Sequence, residues 1–190
     1  MAGATGVIGV RLVPLLVEAG HVVAGMTRSA EKADALQAMG AEPVVCDVFD
    51  ADAVRAAVVS FGPAAIIHEL TDLPDDERRV AEDAAANIRI RREGTRNLLA
   101  AAEAAGSVSR FLAQSVAWQS PGERGAAVEE LERAVLGRRG VVLRYGRFYG
   151  PGTYYERDLP EPPRVHVDEA ARRTVAALDA PSSVLLIVED

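Results

Sequence analysis

Three glycines near the amino end, spaced G-x-x-G-x-x-G, constrain this chain more than any other feature. Gly3, Gly6 and Gly9 run directly into an apolar helical pattern that reaches Val17. A glycine-rich turn that opens a helix presents free backbone N–H groups and the positive end of the helix dipole, which suits a diphosphate. Side chains at these positions would hold the phosphates away from the backbone. The alternative is a flexible turn that binds nothing.

Composition narrows the class of protein. The chain has 190 residues, 49% of them hydrophobic, which favours a folded core over disorder. The net charge of −7 argues against a nucleic-acid partner, and no apolar run is long enough to span a bilayer. With Cys46 as the single cysteine, we expect a cytoplasmic protein with no internal disulfide and no metal site.

Short apolar runs alternate with helical patterns along the chain. Strands are predicted at 21–26, 43–46, 64–68, 110–114, 141–145 and 184–188. Helices are predicted at 6–19 (with a kink at Pro14), 30–39 (capped by Ser29), 51–60 (capped by Asp50), in a long segment ending at Gly106, and at 123–136 and 168–178 (capped by Asp168). A loop is predicted at 146–163. This alternation predicts an α/β, doubly wound parallel sheet with helices on both faces.

The expected first strand is short. A dinucleotide-binding unit has a strand before its glycine turn, because that strand aims the turn at the ligand. Only Met1 and Ala2 precede Gly3. Either the first strand is truncated or another segment fills the central position, and we favour truncation.

Several segments together resemble the NAD(P)-dependent epimerase/dehydratases, which are extended short-chain dehydrogenase/reductases. They occur in the order of that family, at 3–9, 66–68, 93–102, 114–115, 143–152 and 165–171. The resemblance implies a Rossmann-like NAD(P)-binding domain over 1–145. It also implies a reduced substrate-side region over 146–190, continuous with the same domain, and a homodimer formed through the two helices that flank Ser115.

The resemblance also implies a set of cofactor-binding residues. The diphosphate would be held by Gly3, Thr5, Gly6, Val7, Ile8 and Gly9. Asp47 and Val48 match the position near the adenine, although a local turn before the Asp50 cap explains them equally well. Leu70 and Thr71 line the cofactor by position alone. His68 ends a strand below the nicotinamide, where packing is the simpler explanation.

The choice between NAD and NADP depends on the end of the second strand. An acidic residue there would accept hydrogen bonds from the ribose 2′-hydroxyl, but this chain has Arg28 and Ser29. A guanidinium can grip a 2′-phosphate, and a positive charge at a helix start is otherwise unfavourable. We therefore predict a preference for NADP, with NAD as the alternative.

The usual catalytic pair of the resembled family is missing. That family places a tyrosine four residues before a lysine on the helix after the Ser115 strand, and here those positions hold Arg124 and Val128. Lys32 is the only lysine. Ser115 and Tyr149 remain as candidate catalytic residues, although a local hydrogen bond or a role in shaping a Gly-Pro turn explains each of them too.

The sequence also limits the substrate. Arg144 and Arg147 can bind an anionic substrate or pair with carboxylates, whereas Arg89, Arg91 and Arg92 form a charge run typical of a solvated helix face. The loop at 152–163 is too short to enclose a nucleotide sugar. We predict an NADP-preferring oxidoreductase that acts on a small carbonyl substrate. The alternatives are a non-catalytic NAD(P)-binding sensor or partner-binding protein, and a degenerate, truncated family member.

Overall fold

The computed structural model describes residues 1–74 and 76–189 as alternating strands and helices. The strands are β1 (Ala24–Thr27), β2 (Glu42–Val45), β3 (Ala65–His68), β4 (Arg110–Val116), β5 (Val141–Tyr145), β6 (Arg147–Tyr149), β7 (Arg164–His166) and β8 (Ser183–Ile187). The α-helices are α1 (Gly9–Glu18), α2 (Ala33–Ala38), α3 (Ala51–Phe61), α4 (Ala84–Arg89), α5 (Thr95–Ala105), α6 (Gly122–Gly137) and α7 (Val167–Ala176). A π-helical segment, Ile90–Gly94, joins α4 to α5.

The strand order confirms the predicted doubly wound sheet. β1 pairs with β2, and β3, β4, β5 and β8 pair in that order, with every pair parallel. Ala2 joins the two groups through bridges to Met26 and His68. Its N–H donates to the Ile67 carbonyl at 2.9 Å, and its carbonyl accepts from the Glu69 N–H at 2.8 Å. The residues before Gly3 therefore occupy the central position of the sheet.

A cavity of about 650 Å³ lies between β1 and β3, behind this central position. Its wall is largely apolar and includes Val23, Val58 and Ile66. The Met1 ammonium borders it and donates to the Ala24 carbonyl at 2.6 Å, and burial lowers its pKa to about 6. This cavity lies away from the glycine turn, at the opposite end of the strands.

Each face of the sheet carries its own core. Alternation along β5 sends Leu143 toward α1 and α7, and Val142 toward the other face. The first core includes Leu12, Val13, Ala170 and Ala171, and the second includes Val54, Leu98, Leu131 and Val135. Helices thus cover both faces, as predicted, and leave the carboxyl ends of the strands free to form a site.

The amino-terminal predictions were wrong in their boundaries. α1 begins at Gly9 rather than Gly6, because residues 3–8 form a turn in which the Gly6 N–H donates to the Gly3 carbonyl at 3.0 Å. The helix continues through Pro14. β1 begins at Ala24, three residues later than predicted.

Two of the three predicted caps were wrong. Asp50 caps α3 as expected, accepting from the Ala53 N–H at 3.0 Å. Ser29 makes no capping bond, and a short 3-10 helix precedes α2. The cap of α7 is His166, whose Nδ1 accepts from the Asp168 N–H at 3.2 Å. An imidazole acceptor replaces the carboxylate that the sequence suggested.

The predicted loop at 146–163 contains structure that the sequence did not reveal. β6 lies inside it and pairs with β7 just beyond it, forming a small parallel sheet at the carboxyl edge. Each strand has only three residues, too few to show a periodic pattern. No helix within the described residues is long and apolar enough to cross a membrane.

Candidate cofactor and active site

The glycine turn leaves no room for side chains at two of its three glycines. Gly3 has a φ of +88°, and a Cβ there would lie 2.7 Å from the backbone carbonyl of Glu69. A Cβ at Gly9 would lie 2.1 Å from the Gly3 carbonyl oxygen. At Gly6 the nearest atom would be 3.3 Å away, which is tight but less restrictive. The turn is therefore packed against the end of β3 and against its own helix.

The turn also supplies free donors. Across residues 1–74 and 76–189, the N–H groups of Thr5, Val7 and Ile8 make no hydrogen bond. Gly6 and Val7 are exposed, and the ten-residue helix α1 starts directly behind them. Unpaired amides and a helix start at the carboxyl edge fit the diphosphate of a dinucleotide.

Arg28 and Asp72 lie beyond the carboxyl ends of the two strands that flank this turn. Arg28 follows β1 and Asp72 lies beyond β3, and Nη1 of Arg28 is 3.6 Å from the Asp72 carboxylate. Both side chains are partly exposed, so the pair is weak. Ser29 is half-buried, and its N–H donates to Thr27 Oγ1 at 3.2 Å.

The adenine-side candidates take part in local hydrogen bonds. Asp47 Oδ1 accepts from the Phe49 N–H at 3.0 Å, as in a local turn. The Val48 carbonyl accepts from Asn97 Nδ2 on α5 at 2.8 Å, which fixes the buried Val48 beside the edge of the sheet. Asn97, which the sequence analysis did not single out, thereby positions a predicted cofactor-binding residue.

On the neighbouring strand end, Leu70 is also fixed in place. Its carbonyl accepts from Gln114 Nε2 at 2.9 Å, and its N–H donates to His68 Nδ1 at 3.3 Å. Thr71 follows as a half-buried residue at the same edge. The predicted lining positions therefore sit at the carboxyl end of β3, beside the glycine turn.

His68 is part of the core. It is fully buried, and its Nε2 lies 3.0 Å from Thr95 Oγ1. Burial, and then the charge of Arg91, lower the pKa of His68 to about 3. The imidazole is therefore neutral at physiological pH and acts in packing.

Ser115 faces helix α6. It is fully buried, and its hydroxyl donates to Glu132 Oε1 at 2.6 Å. Arg144 donates to both oxygens of the same carboxylate, at 2.8 and 2.6 Å. Burial alone would raise the pKa of Glu132, but the hydrogen bonds from Arg144 and Ser115 outweigh it and hold that pKa below its usual value.

Tyr149 lies in β6 on a different part of the edge. Its hydroxyl donates to Glu189, and its ring packs edge-on against His166 with ring centroids 5.1 Å apart. The hydrogen bond to Glu189 raises the pKa of the phenol. No described contact joins Tyr149 to Ser115, so each predicted catalytic hydroxyl is held by a separate carboxylate.

A buried polar chain runs from Glu69 into α7. Tyr145 Oη lies 3.0 Å from Glu69 Oε1 and 2.6 Å from Thr174 Oγ1, which in turn lies 2.7 Å from the Ala170 carbonyl. Tyr145 donates the first of these hydrogen bonds, and Glu69 Oε1 accepts it. The other oxygen of Glu69, Oε2, is buried and has no hydrogen-bond partner among the described residues. Burial raises the pKa of Glu69 to about 8.

Two further sets of hydrogen bonds join neighbouring segments at the carboxyl edge of the sheet. Arg11 donates to the Val7 carbonyl at 2.7 Å, to Asp168 at 2.6 Å and to the Pro151 carbonyl, and so ties the glycine turn to the start of α7. Tyr154 donates to the Pro74 carbonyl and Tyr155 to Glu77, which joins the loop after β6 to the segment after β3. In the sequence, the one sign of the Arg11 contacts is that this charged residue interrupts the otherwise apolar start of α1.

The comparisons with known proteins identify the family. Residues 3–139 match the family described as NAD(P)H-binding. The chain belongs to this NAD(P)H-binding family. It is 36% identical to a 3-diazoavenalumate denitrifying reductase from a Streptomyces species, over all of this chain and 75% of that protein. The alignment spans 232 positions against 190 residues here, so the relative has internal segments that this chain lacks.

Solved structures confirm the fold. A UDP-glucose 4-epimerase of Thermus thermophilus, in complex with NAD, is 20% identical with a TM-score of 0.79, covering 98% of this chain and 76% of that one. A UDP-Glc/GlcNAc 4-epimerase of Campylobacter jejuni is 14% identical with a TM-score of 0.80, covering 98% and 77%. The predicted Rossmann-like fold, the resemblance to epimerase/dehydratases and the nicotinamide type of cofactor are confirmed.

Proposed function

We propose that this protein is an NADPH-preferring reductase that acts on a small acceptor. The observation that carries the proposal is the glycine turn, where Gly3 and Gly9 exclude any side chain and neighbouring amides remain unpaired. The backbone N–H groups of Thr5, Val7 and Ile8 would hold the diphosphate. NADPH would supply a hydride at the carboxyl edge of β3 and β4.

The preference for NADPH rests on Arg28. Its partner in the structure is Asp72 at 3.6 Å, and a partly exposed pair of this length is readily exchanged. A 2′-phosphate offers the guanidinium more negative charge and better hydrogen-bond geometry than one distant carboxylate. Arg28 would therefore turn from Asp72 to the cofactor.

Arg28→Asp tests this assignment. We expect the variant to bind NADPH about tenfold more weakly or worse, and NADH no more weakly than before. Arg55→Asp is the matched control, because Arg55 also makes a single exposed ion pair, at 2.8 Å to Asp52. An unchanged ratio of the two dissociation constants in Arg28→Asp would refute the NADP preference.

For the acceptor, the first candidate is a small carbonyl compound. The short loop after β6 favours a small substrate, and Ser115 and Tyr149 are the hydroxyls that would polarise its oxygen. Both are bonded to carboxylates in the structure, so substrate would have to displace Glu132 or Glu189. NADPH oxidation with aldehydes, ketones and quinones tests this, and turnover that survives both Ser115→Ala and Tyr149→Phe would refute these roles.

A second candidate is a diazo compound. It is favoured by the name of the 36% identical relative and by Arg124 and Val128, which occupy the positions expected for tyrosine and lysine. When hydride replaces a diazonium group on carbon, a C–H bond forms, the C–N bond breaks and neutral N₂ leaves. No alkoxide forms, so no acid is needed to protonate one. Equimolar N₂ release and NADPH oxidation with an aryl diazonium salt would select this candidate.

Binding without turnover would favour the non-catalytic sensor instead. A thermal-shift titration with NADPH and NADH separates these outcomes, since a ligand at a hundredfold excess over its Kd stabilises the native state by about 2.7 kcal/mol. A folded sample that binds neither cofactor would refute the proposed function as a whole.

A further inference from the structure

Arg91 is an arginine buried inside the protein. It lies in the π-helical segment between α4 and α5 and is 6% exposed. Its Nη1 is buried, and within residues 1–74 and 76–189 the guanidinium makes no hydrogen bond or ion pair. π-Helical turns inside helices often occur at functional sites.

The neighbouring arginines behave differently. Arg89 pairs with Glu93 at 2.7 Å, and Arg92 pairs with Glu130 at 2.7 Å and with Glu123 at 3.0 Å. Both are partly exposed, as expected for a solvated charge run. The prediction of a solvated face therefore holds for these two and is wrong for Arg91, which points into the protein.

Burying a guanidinium without a partner destabilises the folded state, because the charge loses its hydration and no ion pair or hydrogen bond replaces it. Burial lowers the pKa of Arg91 to about 10, which still leaves it charged at physiological pH. The positive charge therefore stays in place and needs a counter-charge.

Among the described residues, no free carboxylate near Arg91 balances its charge. Glu132 is the acidic group that acts on Arg91 electrostatically, but its two oxygens already accept hydrogen bonds from Arg144 and Ser115. The π-helical segment that carries Arg91 packs against α6, the helix of Glu132, and is followed by Thr95, whose Oγ1 lies 3.0 Å from His68 Nε2 at the carboxyl end of β3. Glu132 thus pairs with Arg144, and the positive charge of Arg91 is left without a paired carboxylate among the described residues.

We propose that Arg91 binds a carboxylate group of the acceptor substrate. One free guanidinium neutralises one negative charge and matches a carboxylate in two parallel hydrogen bonds, whereas a phosphate dianion would remain half-compensated in this buried place. The proposal rests on the proposed function, since it assigns the chemical class of the acceptor.

The test uses benzoate as the probe and benzamide as its neutral counterpart, both titrated calorimetrically into protein saturated with NADPH. Arg91→Met approximates the aliphatic part of the side chain and removes its charge, and Arg92→Met is the matched control on the exposed face. We expect wild type and Arg92→Met to bind benzoate at least about tenfold more tightly than benzamide. Arg91→Met should lose that difference.

Stability gives a second, independent readout. Because Arg91 has no ion pair with any residue that the structure describes, Arg91→Met should raise the melting temperature of the ligand-free protein, whereas loss of a structural ion pair would lower it. Benzoate binding that persists in Arg91→Met, absence of benzoate binding in wild type, or a lower melting temperature for ligand-free Arg91→Met would each overturn the proposal. NADPH binding is measured first, so a failure of the proposed function appears separately as the absence of a cofactor complex.

Discussion

The hydroxyl of Ser115 donates a 2.6 Å hydrogen bond to Oε1 of Glu132, and the two side chains meet in the contact between β4 and α6. Glu132 also holds Arg144, so one carboxylate organises two groups that the sequence offered for substrate binding. Glu132 therefore holds both Ser115 and Arg144 in place through its hydrogen bonds.

Glu132→Gln should therefore destabilise the fold by about 1–3 kcal/mol at neutral pH, because the amide keeps the shape but loses the charge that Arg144 contacts. Urea unfolding measures this, with the exposed Glu130→Gln as the control, whose unfolding midpoint should match that of wild type. The pKa of Glu132 is lowered in the folded state, so its contribution is present at neutral pH and is lost as pH falls through that pKa. If the difference in unfolding free energy between wild type and Glu132→Gln stays constant as the pH is lowered through the acid range, this prediction is wrong.

Glu69 should give the opposite pH dependence. Its folded pKa is raised to about 8 from an ordinary 4.5, so between these values the native state holds a proton that the unfolded state has released. Stability should therefore fall as pH rises from about 4.5 to 8. Glu69→Gln removes this titration and should become more stable than wild type, by an amount that grows over the same range. If the unfolding free energies of the two proteins change in parallel with pH, the pKa of Glu69 is not raised in the folded state.

Gly9→Ala should disrupt the turn, because the added Cβ would lie 2.1 Å from the Gly3 carbonyl oxygen. We expect loss of NADPH binding together with a destabilisation of more than about 2 kcal/mol. Gly137→Ala, in the last turn of α6 with no atom within 4 Å of the new methyl group, should be neutral or stabilise by up to about 1 kcal/mol. Full cofactor affinity in Gly9→Ala would remove the main support for the diphosphate site.

Sequence reasoning worked where local chemistry decides structure. The bounds predicted for β5 match the structure to the residue, because a mostly apolar run ends at Gly146. The Asp50 cap also followed from local hydrogen bonding alone. The glycine spacing predicted the turn, since side chains at Gly3 and Gly9 would prevent its packing.

Sequence reasoning failed where contacts between distant parts of the chain decide the structure. The start of α7 is set by β7, which ends at the capping residue His166, and a strand of three residues shows no period that would place this boundary. Arg91 could not be told from Arg89 and Arg92, because their different environments depend on the π-helical turn. The raised pKa of Glu69 depends on its burial beside Tyr145, far along the chain.

Ala2 is bridged to Met26 on one side and to His68 on the other, and so links β1 and β2 to the rest of the sheet. One residue is a narrow backbone connection between two halves of a structure. Local opening at this point would release β1 and β2 as a cooperative unit while β3, β4, β5 and β8 stay paired. Native-state hydrogen exchange should then resolve two protection levels, with the amides of β1 and β2 exchanging at the lower free energy.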